Sequence, residues 1–203
     1  MDKSLSGSRR AAFLDRDGVI NAMWWDPDFG TVDSPANPEQ FRLLAGVTQG
    51  IEMLRSMGLL VIVVSNQPGI AKGKMIPELL RGITEKMHVE LARAGTKLDG
   101  VYYCLHHPEA TLMEYRVICE CRKPKPGLLL QAAKELNIDL AGSVMIGDGT
   151  TDIEAGRAAG CTTLWLGKMK CDQCTAFLNR NTGPDLVAES LPEAARLILE
   201  MVR

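Results

Sequence analysis

Phe13-Leu14-Asp15-Arg16-Asp17-Gly18-Val19 decides how this chain is read. A short apolar segment, Ala11 to Leu14, runs directly into two carboxylates two residues apart. On an extended backbone, residues i and i+2 point the same way, so Asp15 and Asp17 can reach one site. Gly18 then lets the backbone turn sharply. Two carboxylates at a strand end suit metal binding, nucleophilic attack or acid–base work. The same letters also describe an acidic turn after a buried strand, and the rest of the chain must separate the two.

Outward from that stretch, apolar β-rich runs alternate with helical patterns. Strands are expected at Leu59–Val64, Val101–Cys104, Val144–Ile146 and Thr162–Leu166, besides Ala11–Leu14. The Leu59–Val64 run is continuous rather than alternating, the mark of a strand buried on both faces. Helices are expected at Val47–Met57, closed by Gly58, and at Ile76–Ala94 and Pro126–Leu136, each with proline near its start. Ile153–Ala159 and Pro192–Val202 complete the set. Strands alternating with helices predict an α/β fold: a Rossmann-like, doubly wound parallel sheet with helices on both faces. The segment between Asp17 and Ser65 is too short for a large cap domain, since it must also hold a helix.

The chain has 203 residues, enough for one well-buried domain. Residues 1–10 read as a disordered polar leader and 11–203 as the single domain. The net charge of −2 gives no pull toward nucleic acid or a membrane surface. No apolar stretch approaches the roughly 20 residues of a membrane span, and Asp15 interrupts the first apolar run too early for a signal peptide. Six cysteines without such a signal favour thiols or metal ligands over disulfides. A cytoplasmic monomer is expected.

Parallel sheets of this kind bind ligands at the carboxyl ends of their strands. The polar clusters fall there. Asp15-Arg16-Asp17 follows the first run, Ser65-Asn66-Gln67 the second, and Gly147-Asp148-Gly149 the fourth. The third leads through a cysteine and histidine cluster to Arg122-Lys123-Pro124-Lys125. Each alone reads equally well as turn chemistry, a helix cap or a solvated charge. Together, Asp15, Asp17 and Asp148 concentrate negative charge that a hard cation such as Mg²⁺ would neutralise. Ser65 adds a hydroxyl and Lys123 a positive charge, both suited to phosphoryl oxygens.

Cys104, Cys119 and Cys121 with a histidine make a closed structural zinc set. His106 is the nearer imidazole and His107 its rival. The competing reading is buried thiols beside a surface histidine. Cys171-Asp172-Gln173-Cys174 is a second pair, read as ordinary loop thiols.

Phe13 to Val19 resembles the first motif of the haloacid dehalogenase superfamily. Ser65 resembles its second motif, Lys123 its third, and Gly147-Asp148-Gly149-Thr150-Thr151-Asp152 its acidic fourth. That resemblance implies a phosphatase working through an aspartyl-phosphate. Asp15 would be the nucleophile, and Asp17 the acid that protonates the leaving oxygen and then activates water. Mg²⁺ would be held by Asp15, the Asp17 backbone carbonyl and Asp148, with Asp152 farther out.

Tyr103-Cys104-Leu105-His106-His107-Pro108 through Cys119-Glu120-Cys121-Arg122-Lys123-Pro124 resembles the zinc-bearing branch of heptose-bisphosphate phosphatases and histidinol-phosphatases, as does Ser65 to Ala71. This implies Zn²⁺ at Cys104, His106, Cys119 and Cys121. It implies substrate contacts from Ser65, Asn66, Gln67, Arg122 and Lys123, and a small phosphorylated metabolite as substrate. Gly149 departs from the basic residue common there in the heptose enzymes. The stretch Met23 to Val32 is expected to shape the pocket, with Asp28 to Thr31 in contact. Histidinol phosphate is the alternative substrate, and a phospho-acceptor module without turnover the alternative class.

Overall fold

The computed structural model describes residues 8–26, 30–169, 177 and 183–201. Six parallel strands form one sheet in the order β5-β4-β1-β6-β7-β8. They are β1 (Ala11–Leu14), β4 (Leu60–Asn66), β5 (Gly100–Cys104), β6 (Val144–Gly147), β7 (Thr162–Leu166) and β8 (Leu186–Ala188). The helices are α1 (Val47–Ser56), α2 (Pro77–Arg93), α3 (Gly127–Leu136), α4 (Thr150–Ala158) and α5 (Leu191–Met201). A small antiparallel hairpin, β2 (Trp24–Asp26) with β3 (Thr31–Asp33), occupies the insertion between Asp17 and α1. Among the described residues nothing larger stands there, in keeping with the expectation of no large cap.

The unbroken apolar runs are explained by two cores. One face of the sheet presents Ala12, Leu14, Val61, Val63 and Ile146 to α1, α2 and α5, through Ile51, Leu54, Ile83, Met87, Ala194 and Ile198. The other presents Ala11, Phe13, Ile62, Val64 and Met145 to α3 and α4, through Leu128, Leu129, Ala132 and Ala155. Every residue of β1 is buried. Truncating Phe13 to alanine would cost about 3–5 kcal/mol, the range for a buried aromatic.

The chain winds outward from β1 to β4 and β5, then returns to place β6 on the other side of β1. The order reverses there, so the loops after β1, β4 and β6 diverge around one crevice. This is the end of the sheet that carries the polar clusters.

A helix start and an unexpected strand differ from the sequence expectation for physical reasons. Helix α4 begins at Thr150, not Ile153, because the Asp152 carboxylate accepts the Gly149 backbone N–H at 3.0 Å and starts the helix earlier. Strand β8 is three residues long, too short to carry a period in sequence. Arg9 bridges to Ile138 within the stretch read as a leader. Residues 1–7, Asp28, Cys171, Cys174 and Val202 lie outside the described residues.

Candidate active site

Asp15 continues the central ladder by one residue, its backbone N–H donating to the Ile146 carbonyl at 3.0 Å. That contact fixes the carboxylate at the end of β1. Asp15, Asp148 and Asp152 converge, one oxygen of each lying within 4.8 Å of the others. Asp152, which the resemblance places farther from the cation than Asp15 and Asp148, brings one oxygen into the same cluster. It is buried, and the helix cap that starts α4 also aims its second oxygen at the cluster. Glycines make the approach possible. Gly18 sits at φ +83°, and a Cβ there would lie 2.0 Å from Asp148 Oδ2.

Lys123 answers this negative charge from the opposite side. Its Nζ lies 3.0 Å from Asp15 Oδ1 and 2.5 Å from Asp152 Oδ1, and donates to the Val64 carbonyl at 2.8 Å. The ammonium thus has two carboxylates and one carbonyl close by, and its side chain is almost completely buried. Asn66 holds the loop in place by a reciprocal pair. Its amide donates to the Lys123 carbonyl at 3.0 Å and accepts the Lys123 N–H at 3.0 Å. The Asn66 amide thus positions Lys123.

One ammonium cannot balance three carboxylates. Burial, and then repulsion from Asp15 and Asp152, push the Asp148 carboxyl up to about 7. Burial likewise raises Asp152 to about 6, against the pull of Lys123. The Lys123 ammonium is held above its ordinary range, because Asp15 and Asp152 outweigh the cost of its burial. A crowd of hard oxygens with excess negative charge fits a divalent cation such as Mg²⁺.

Asp17 is not one of this trio, and its carboxylate has partners of its own. Its Oδ1 accepts from Arg16 Nε at 3.1 Å, Arg16 Nη2 at 3.0 Å and Asn21 Nδ2 at 2.9 Å. Its Oδ2 accepts from Arg16 Nη2 at 3.1 Å and Gln67 Nε2 at 2.7 Å. Gln67 Nε2 also donates to Ser65 Oγ at 3.1 Å. Arg16 is wholly buried, its guanidinium carbon 5.7 Å from the centre of the Tyr103 ring. Neither Arg16 nor Asn21 stood out in the sequence. An arginine between two acidic residues reads as a solvated charge, and its burial was the missing information.

Beside the carboxylates, Cys104, His106, Cys119 and Cys121 draw together. The sulfurs of Cys121 and Cys104 are 3.2 Å apart, those of Cys121 and Cys119 3.2 Å, and those of Cys104 and Cys119 3.5 Å. His106 Nδ1 lies 3.4 Å from Cys121 Sγ and 3.9 Å from Cys104 Sγ. Tetrahedral zinc with bonds of about 2.3 Å spaces its sulfurs about 3.8 Å apart, close to this arrangement. Burial, then the neighbouring sulfurs, raise the Cys121 thiol, whereas bonds from Cys121 and Cys104 overcome burial and bring Cys119 down to about 7. Between the two histidines the geometry selects His106. His107 instead accepts the Glu109 backbone N–H at 3.1 Å. Arg122 donates to the His106 carbonyl at 3.2 Å, so the thiol loop and the basic pair Arg122-Lys123 are physically continuous.

A cavity of about 520 Å³ opens next to Gln67, between the β2–β3 hairpin and the loop after β4. Trp24, Thr31, Asp33 and Lys72 line it. Lys74 pairs with Asp33 and ties the hairpin to that loop. Thr31 therefore lies where the sequence reading put the pocket wall.

A family model described as HAD-hydrolase-like matches residues 120–194. The D-glycero-beta-D-manno-heptose-1,7-bisphosphate 7-phosphatase of Yersinia pestis is 44% identical over 153 residues, 75% of this chain and 77% of that protein. The protein of the same name from Vibrio cholerae is 44% identical over 156 residues, 77% of this chain and 80% of that one. Among solved structures, a D,D-heptose 1,7-bisphosphate phosphatase from B. bronchiseptica, complexed with magnesium and phosphate, superposes with a TM-score of 0.75. It is 30% identical, and the match covers 95% of this chain and 99% of that one.

Proposed function

This chain belongs to the haloacid dehalogenase-like hydrolases, with the heptose-bisphosphate phosphatases, and from that premise we propose that it is a Mg²⁺-dependent phosphatase of small sugar phosphates. The substrate we assign is D-glycero-D-manno-heptose 1,7-bisphosphate, losing its 7-phosphate. The observation that carries the reading is Asp15 at the end of the central strand, with Lys123 Nζ 3.0 Å from its Oδ1.

Asp15 Oδ1 is engaged by Lys123 and by the Arg16 backbone N–H at 2.7 Å. That leaves Oδ2 to attack phosphorus, forming the aspartyl-phosphate while the sugar oxygen departs. Asp17 gives its proton to that oxygen, and then takes one from the water that hydrolyses the intermediate. Ser65 and Lys123 meet the phosphoryl oxygens. Arg122, fixed against the thiol loop, contacts the substrate. Asp15, Asp148 and the Asp17 carbonyl would hold Mg²⁺, which would supply charge neutralisation for the phosphoryl group. Cys104, His106, Cys119 and Cys121 would hold Zn²⁺ in a structural role, setting the loop that presents Arg122 and Lys123. Free thiols available to zinc accord with a cytoplasmic protein, and we take it to act as a monomer.

The test is a panel of phosphorylated metabolites assayed with Mg²⁺ for phosphate release. The heptose bisphosphate should give the highest kcat/KM, well above histidinol phosphate. An inverted ranking would overturn the substrate, and no release from any ester would overturn the phosphatase.

A further inference from the structure

We propose that Gln67 is a positioning residue that ties Asp17 down until a ligand enters the cavity beside it. This rests on the phosphatase reading above. A carboxylate offers about four lone-pair sites. Asp17 receives five N–H contacts, from Arg16, Asn21 and Gln67. So engaged, neither oxygen has capacity left for a leaving group or a water molecule. One of the donors has to withdraw before Asp17 can exchange a proton.

Only one of them is placed to do so in response to a ligand. Arg16 and Asn21 are completely buried and do not line the cavity. Gln67 does line it, and its Nε2 makes the shortest of the contacts to Asp17, at 2.7 Å. Its backbone is anchored, the N–H donating to the Cys104 carbonyl at 2.8 Å, so the side chain turns on a fixed pivot. A hydroxyl-bearing ligand in the cavity offers an acceptor for the Gln67 amide. Taking that N–H frees Asp17 Oδ2 and also ends the amide's second contact, to Ser65 Oγ at 3.1 Å. The acid–base group is thus freed as the ligand enters. A phosphoester too small to fill the cavity leaves Asp17 restrained, which makes Gln67 a device of substrate selection.

The experiment compares wild type with Gln67→Leu, of similar volume and without donors, and with Gln67→Met as a second apolar variant. Two esters are used: the heptose bisphosphate and phenyl phosphate, whose ring carries no hydroxyl. Thermal midpoints confirm folding. The latch predicts that kcat for phenyl phosphate rises in both variants while kcat/KM for the sugar falls. The ratio of the two kcat/KM values should drop about tenfold, the scale of one hydrogen bond to a charged group. If wild type hydrolyses the sugar ester and both variants lower the two esters by the same factor, the latch is overturned and the phosphatase stands. A wild type that hydrolyses neither ester overturns the phosphatase reading and the latch with it.

Discussion

Asp15, Asp148 and Asp152 stand at the ends of strands and at a helix start, on a sheet buried on both faces. Cys104, His106, Cys119 and Cys121 instead join one strand end to a loop whose residues Met113 and Ile118 are 72% and 81% exposed. The carboxylates are held by the fold whether or not a cation is present. The loop has little core of its own, so the ligand set must supply its order. Damage to the first cluster should therefore appear as lost chemistry, and damage to the second as lost structure that costs chemistry only indirectly.

The largest separation is expected from Asp15→Asn. Steady-state kcat should fall by about 10⁴ or more, as for removal of other nucleophiles. The thermal midpoint should hold or rise, because one of three mutually repelling carboxylates is gone. Loss of folding in this variant would break the comparison. Cys121→Ser should behave in the opposite sense. Metal analysis should show zinc falling from one per chain, and the midpoint should drop by about 6–12 °C, or about 3 kcal/mol at this chain length. Its kcat should fall only about 10- to 100-fold, through Arg122 and Lys123. A variant with zinc lost and the midpoint unchanged would remove the structural role.

Gly18→Ala sharpens the first half of the comparison. The added Cβ meets Asp148 Oδ2 at 2.0 Å on a backbone at φ +83°. The strain, about 1–3 kcal/mol, should be relieved by displacing Asp148. Mg²⁺ affinity, read by calorimetry, should weaken about tenfold at that cost, and unaltered affinity would mean that Asp148 is not a ligand.

The last expected effect is a pH dependence of the metal-free protein. Asp148 titrates near 7 when folded, against an ordinary value of 3.8. The fold thus favours its protonated form. Its contribution to stability is present at low pH and is lost as pH rises from 3.8 to about 7. Metal-free protein should show a thermal midpoint that falls over that window, at about 2–4 °C for each kcal/mol lost. Saturating Mg²⁺ should abolish the loss. A metal-free midpoint that climbs toward neutrality would contradict the account.

The same contrast governs what was legible in the sequence. Asp15, Ser65 and Asp148 could be read because each follows an apolar run, and strand ends on one edge of a parallel sheet must meet. The β1, β4 and β7 segments were legible for the same reason. The approach of Asp152 to the carboxylate cluster was not legible, because it depends on a capping bond to Gly149, a tertiary detail that no periodicity carries. His106 could be read as the imidazole of the sulfur cluster, with His107 as its rival, and the backbone after β5 brings His106 to the sulfurs. Arg16 and Asn21 were silent because their importance is burial around Asp17, and a polar letter does not announce that it is buried.

Turnover by this route requires Asp15 to form a covalent phosphoryl adduct that Asp17 helps to discharge. Asp17→Asn incubated with Mg²⁺ and acetyl phosphate, whose leaving group needs no proton, tests it directly. Peptide mass spectrometry after acid quench should find a phosphoryl group on the peptide bearing Asp15, persisting far longer than in wild type. Stoichiometric adduct at another residue, or phosphate release by Asp17→Asn at the wild-type rate with no adduct, would contradict it.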